Sequence, residues 1–194
     1  MPEPIQFTTV STADEVRQIL ELQAENLPSA LTADIMAGQG FVTVRHDASV
    51  LRRMNEVAPS IVAKAGGRIA GYALVMPRSF AADVPILRPM FEMLDGLSWK
   101  GVPLRDNPRW FVMGQICIAA DHRGLGLFDG LYRTMAERYG GHYDFTVTEV
   151  AGRNTRSLRA HARVGFQSLH VYADAATGEE WHVIALDLTG VNSL

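Results

Sequence analysis

The chain has 194 residues and a mass of 21.3 kDa, is 47% hydrophobic and 20% charged, and carries a formal net charge of -3. That size and balance suit one folded domain over residues 1–194 and exclude fibrous and disordered classes. The negative charge, with no dense basic cluster, excludes generic nucleic-acid partners.

Residues 5–9 read as a first strand. Thr12 and Glu15 then form a capping-box signature ahead of Val16, Ile19 and Leu20 at helical spacing. Pro28 and residues 31–40 are expected to be irregular or briefly helical. Asp47 is placed to cap a helix with Val50, Leu51, Met54 and Val57 on one side, stopped by Pro59. Two apolar runs, 61–65 and 68–76, flank Gly66-Gly67 and predict an antiparallel hairpin. Residues 78–108 carry Pro85, Pro89, Pro103 and Pro108 around an apolar middle. They read either as a loop packed over the core or as a lid or substrate-pocket wall.

Residues 110–119 form a long strand that feeds an Arg/Gly turn, and the following helix carries Leu127, Leu131 and Met135 on its apolar face and ends at Gly140-Gly141. A strand over 143–150, a helix over 154–164 and strands over 167–172 and 181–188 complete the count. No internal repeat is evident. Antiparallel strands precede the glycine turn, which disfavours the repeated βαβ units of a dinucleotide-binding domain.

Cys117, the only cysteine, precludes an intrachain disulfide. Its place in an apolar strand predicts a buried thiol. The start Met1-Pro2-Glu3-Pro4 lacks the basic and apolar parts of a signal peptide, and no stretch reaches about 18 uninterrupted apolar residues, so a cytoplasmic protein with no membrane partner is expected. The six histidines lack ligand spacing, and no metal site is expected.

The strand-turn-helix passage around Arg123-Gly124-Leu125-Gly126-Leu127-Phe128 carries the chemistry. Glycines at 124 and 126 let successive backbone N–H groups point at one anion, and the following helix dipole adds to their field. No Lys-Ser or Lys-Thr follows, which argues against a P-loop, and Asp129 stands where a dinucleotide fingerprint needs its third glycine. What remains, Arg123-x-x-Gly126, resembles motif A of the GCN5-related N-acetyltransferases (GNAT), with Phe128 where that pattern has Gly or Ala. Downstream, Asn154, Ser157, Gly165 and Phe166 fall on the family's second pattern of a helix opened by Asn and closed by Gly-Phe. Asn154 also reads as a plain helix N-cap, and Gly165 as a left-handed helix end. Together the two patterns cover about the C-terminal 40% of the chain.

The resemblance implies an α/β (α+β) acyl-CoA N-acyltransferase fold, a mixed central sheet flanked by helices. It implies acetyl-coenzyme A as cosubstrate, held by Ile116, Cys117, Ile118, Arg123, Gly124, Leu125, Gly126, Leu127, Phe128, Asn154 and Ser157. The acceptor would be an amine of a small molecule or peptide, and a homodimer is compatible with it.

Alternation along residues 145–149 puts Glu149 on the face of Phe145 and Val147. Glu149 reads as a strand end in solvent, as an ion-pair partner of Arg153 or Arg156, or as a partly desolvated base. By resemblance it is the general base. His161 stands where many relatives carry the Tyr that protonates the departing thiolate, and Tyr172 is the alternative acid. A coenzyme A-binding sensor or regulatory module without turnover is the competing reading.

Overall fold

Thr12 opens the first helix as its sequence requires. In the computed structural model, which describes residues 3–175 and 177–189, its hydroxyl accepts from the Glu15 N–H (3.1 Å) and the Glu15 carboxylate accepts from the Thr12 N–H (3.1 Å). Met1 and Pro2, part of the N-terminal stretch considered above, lie outside the described residues. The helices are α1 (Ala13–Glu25), α2 (Ala33–Gln39), α3 (Ala48–Val57), α4 (Arg88–Leu94), α5 (Leu127–Tyr139) and α6 (Thr155–Arg163). The strands are β1 (Ile5–Thr9), β2 (Ile61–Ala65), β3 (Arg68–Met76), the short pair β4 (Ser98–Trp99) and β5 (Val102–Pro103), β6 (Trp110–Ile118), β7 (Phe145–Ala151), β8 (Gln167–Ala173) and β9 (Glu180–Asp187).

Seven strands form one sheet in the order β1-β2-β3-β6-β7-β9-β8. Gly66 and Gly67, both at positive φ, turn β2 back antiparallel on β3. Among the described residues only the β6–β7 pairing is parallel, and α5 supplies the crossover such a pair needs. One face of the sheet is covered by α1, α3 and α4 through Ile19, Leu51, Met54 and Leu94; the other is covered by α5 through Leu131, Tyr132 and Met135 and by α6 through Leu158, with its cap residue Val164.

Two expectations change. Residues 78–108 are not a plain loop: they hold α4 and the β4–β5 pair, and Phe80, Met90, Phe91, Leu94, Trp99 and Leu104 are buried in the first core. None of them lines the two clefts described below, and their burial shows the packing role that the sequence offered as one reading of this segment. Val57, placed by periodicity on the buried side of α3, is 64% exposed, because it ends the helix where the chain turns away.

Strand β6 is unbroken but carries a bulge. Its register with β3 shifts between Ala73 and Val75, which face Ile116 and Met113, so β6 carries one extra residue there. Before this bulge Trp110 and Val112 point into the core on the α1, α3 and α4 side; after it Cys117 does, and Gln115 bonds Gln23 of α1. The parity change also ends the β6–β7 ladder. Pairing covers only Trp110↔Phe145, Phe111↔Thr146 and Val112↔Val147, after which the two strands separate.

Candidate active site

Two clefts meet where β6 and β7 part. The inner one, about 60 Å³, lies between Met113–Ile116 of β6 and Thr148–Ala151 of β7, closed by Phe41, Val42, Thr43 and Trp181. The outer groove, about 710 Å³, continues from Ile116, Cys117, Ile118, Asn154 and Ser157 past the Arg/Gly turn and along α6 to Arg163. Ile116, Asn154 and Ser157 border both.

The turn is built as its glycines require. Gly124 and Gly126 both have φ near +79°, and a Cβ on either would meet nothing within 4 Å, so conformation and not space demands glycine. The N–H groups of Gly124 to Asp129 find no acceptor among the described residues, and they cluster at the positive end of the 13-residue helix α5. Leu127 is buried. Leu125 turns its side chain outward, 63% exposed, and brings only its backbone to the turn. Phe128 packs its ring edge-on against Tyr132 and His161, each with centroids 5.1 Å away. Arg123 donates to Ile118 O (3.2 Å), Asn26 Oδ1 (2.7 Å) and Gln39 Oε1 (3.4 Å), locking the turn to the end of β6 and to the α1–α2 region.

Asn154 caps α6 by accepting from the Ser157 N–H (3.3 Å) while its amide donates to Phe41 O (3.1 Å). Gly165 ends that helix at φ +100°, with Phe166 buried beside it.

Glu149 lies in the inner cleft and accepts from the Tyr172 hydroxyl at 2.9 Å. Burial pushes its carboxyl up to about 7, and the Tyr172 hydrogen bond restrains that rise. Neither suggested ion pair forms: Arg153 binds Glu179 (2.6 Å) and Arg156 donates to Gly38 O (3.1 Å). Tyr172, on β8, reaches Glu149 across β9, and burial with the adjacent carboxylate raises its phenol.

His161 is 1% exposed, and both ring nitrogens are engaged. Nδ1 faces the Ser157 carbonyl at 2.8 Å and must donate to it; Nε2, 2.8 Å from the Tyr132 hydroxyl, therefore accepts. Burial lowers its pKa to about 4. Near neutral pH this ring is an uncharged bracket between α5 and α6. Cys117 is likewise buried, its thiol pushed up to about 12, which removes the thiolate a nucleophile needs.

A buried polar group behind the cleft escaped the sequence reading. Gln115, in the bulge, accepts from Gln23 Nε2 (2.6 Å) and Tyr72 Oη (2.5 Å) and donates to Val44 O (2.8 Å). Gln23 also bonds His46, accepting from its N–H (2.8 Å) and meeting Nδ1 at 2.9 Å. This pins the 41–47 strip as the wall of the inner cleft. The one available signal was Gly114, since glycine inside a strand marks a bulge. Among the described residues, no group of acidic, His and Cys side chains could hold a metal ion, and no helix is long and apolar enough to cross a membrane.

No protein-family model and no curated protein matches the chain. Solved structures do. The ribosomal-protein-S18-alanine N-acetyltransferase of Escherichia coli is similar with a TM-score of 0.61 at 12% identity, over 96% of this chain and 95% of that one. An acetyltransferase of the GNAT family from Streptococcus pneumoniae gives 0.61 at 12%, over 95% and 99%. A protein from Salmonella typhimurium, described as an acetyltransferase and solved with its cofactor acetyl-CoA, gives 0.61 at 15%, over 95% and 94%. The likeness at these identities is one of fold, and it spans nearly the whole of each chain.

Proposed function

We propose that this chain, which has the fold of the GNAT acetyltransferases, is an N-acetyltransferase that moves an acetyl group from acetyl-coenzyme A to an amine of a small molecule or peptide. One observation carries the reading: the fork between β6 and β7 joins a groove with open backbone amides to a cleft holding a carboxyl group with a pKa of about 7.

Bound acetyl-coenzyme A would supply an activated acyl group on sulfur. The residues present suit it. The amides of Gly124 to Asp129, with the α5 dipole and Arg123, would hold the diphosphate. Ile116, Cys117 and Ile118 would border the arm on the β6 side, with Asn154 and Ser157 opposite. The unpaired edge of β6 beyond Val112 would offer backbone N–H groups to an acyl oxygen.

Glu149 is the proposed base. An amine with a pKa near the lysine value of about 10.4 arrives protonated, and a carboxylate with an affinity near neutrality takes its proton far better than an exposed one. Tyr172 holds that carboxylate in position. It also keeps its own proton at neutral pH, which makes it, and not the fully engaged His161, the proposed donor to the leaving thiolate. With Cys117 inert, transfer is direct and needs no acetylated enzyme.

Calorimetry with acetyl-coenzyme A and assay of thiol release over a panel of polyamines, amino acids and peptide N-termini test this. Binding plus thiol release with at least one amine is expected, and Gly126→Trp removes both. Binding with no release across the panel would instead identify a coenzyme A-binding sensor module. Absence of binding would overturn both readings.

A further inference from the structure

The outer groove carries more positive charge than a diphosphate requires. Four arginines line it (Arg123, Arg156, Arg159 and Arg163) with a single carboxylate, Asp129. Arg163 spends its charge on Asp129 at 2.5 Å. His122 faces Asp121 at 2.7 Å. The other three keep theirs: Arg123 meets only neutral oxygens, Arg156 meets only the Gly38 carbonyl (3.1 Å), and Arg159 has no partner among the described residues.

These charges fall in two places. Arg123 belongs to the glycine turn with its open amides, a complete site for two phosphate charges. Arg156 and Arg159 lie three apart on the exposed face of α6, on the groove wall. Ser157 and Asn154 border both clefts, whereas Arg159, Ala160 and Arg163 border only the outer groove, so α6 leads away from Glu149 toward the far end of a bound cofactor. Guanidinium groups held near an open groove without an acidic partner fit a phosphate monoester, which carries about -1.5 to -2 charges at neutral pH.

We propose that Arg156 and Arg159 bind the monoester phosphate of the cofactor's nucleotide end, so that the groove selects coenzyme A over its 3′-dephospho form. This rests on the acetyl-coenzyme A reading above. It concerns a second phosphate locus, separate from the diphosphate turn.

Calorimetry at fixed low ionic strength with acetyl-coenzyme A and acetyl-3′-dephospho-coenzyme A tests it on the wild type and on Arg156→Gln, Arg159→Gln, the double variant and Arg159→Lys. The wild type should prefer the phosphorylated ligand by about tenfold or more, the scale of one charge-assisted contact. Each glutamine variant should narrow the gap by weakening acetyl-coenzyme A, the double variant should close it, and Arg159→Lys should retain part of it. Equal affinity of the wild type for both ligands, or a gap that survives the double substitution, overturns the inference. Failure of either ligand to bind would instead sink the acetyl-coenzyme A reading.

Discussion

Glu149 concentrates the chemistry in one side chain whose two properties pull apart. Its folded pKa of about 7 stands above the ordinary 4.5, so its contribution to stability is complete below pH 4.5 and is lost as pH rises through 7. At pH 8 the native state therefore holds a partly buried carboxylate at a cost on the order of 3 kcal/mol. Glu149→Gln removes that cost together with the base. The variant should unfold at higher urea than the wild type at pH 8, while kcat falls by roughly 100-fold or more, the usual scale of general-base loss. A variant both less stable and equally active would assign Glu149 to packing alone. The kcat profile should rise with pH around an apparent pKa near 7, as the carboxylate forms. Tyr172→Phe deletes the proposed proton donor and the one hydrogen bond that holds this pKa down, so kcat should fall and the rising limb of the remaining activity should move to higher pH. An unmoved limb would show that Tyr172 does not bond the reacting form.

At the level of elements, what the sequence declared was local. Thr12 with Glu15, Gly66-Gly67, Asn154 and the Gly165 helix end each act within four residues, and each appears in the structure where the residue types demand it. The β6 bulge was hidden because its cause lies in pairing with β3, and an apolar strand reads the same with or without an extra residue. Residues 78–108 were obscured by four prolines that break the periodicity, although Pro89 sits within the first turn of α4, where its missing N–H costs nothing. Gln23, His46, Tyr72 and Gln115 come from four separate segments, and no spacing connects them. The glycine turn was legible as chemistry because its constraint is conformational. Gly126→Ala tests that. Open space surrounds the new Cβ, so the cost should be the left-handed backbone alone, about 1–2 kcal/mol by denaturant titration. A turn that relaxes to avoid it should also weaken acetyl-coenzyme A binding, because the amides lose their common aim. A destabilisation near zero would mean the left-handed conformation is dispensable.

Across the whole molecule, the two faces of the sheet each bury one uncharged imidazole. His46 lies under α1 with its Nε2 unpartnered, and His161 joins α5 to α6. Burial holds both near 4, below the ordinary 6.5, so each contributes stability that is present above pH 6.5 and is lost as pH falls toward 4. Glu149 acts in the opposite sense over pH 4.5 to 7. Glu15, Asp47 and Asp187, whose carboxyls lie below their ordinary values, lose their contributions only at more acid pH. Between pH 4.5 and 6.5, unfolding thus takes up about two protons at the histidines and releases about one from Glu149, a net slope of roughly 1.4 kcal/mol per pH unit. Urea titrations at pH 5 and 6 should show stability falling with acid by that amount. Glu149→Gln removes the opposing proton and should make the slope about twice as steep. A flat profile in the wild type, or an unchanged slope in the variant, would mean that these three groups do not hold their native protonation states, and with them would go the assignment of an uncharged His161 beside a near-neutral Glu149.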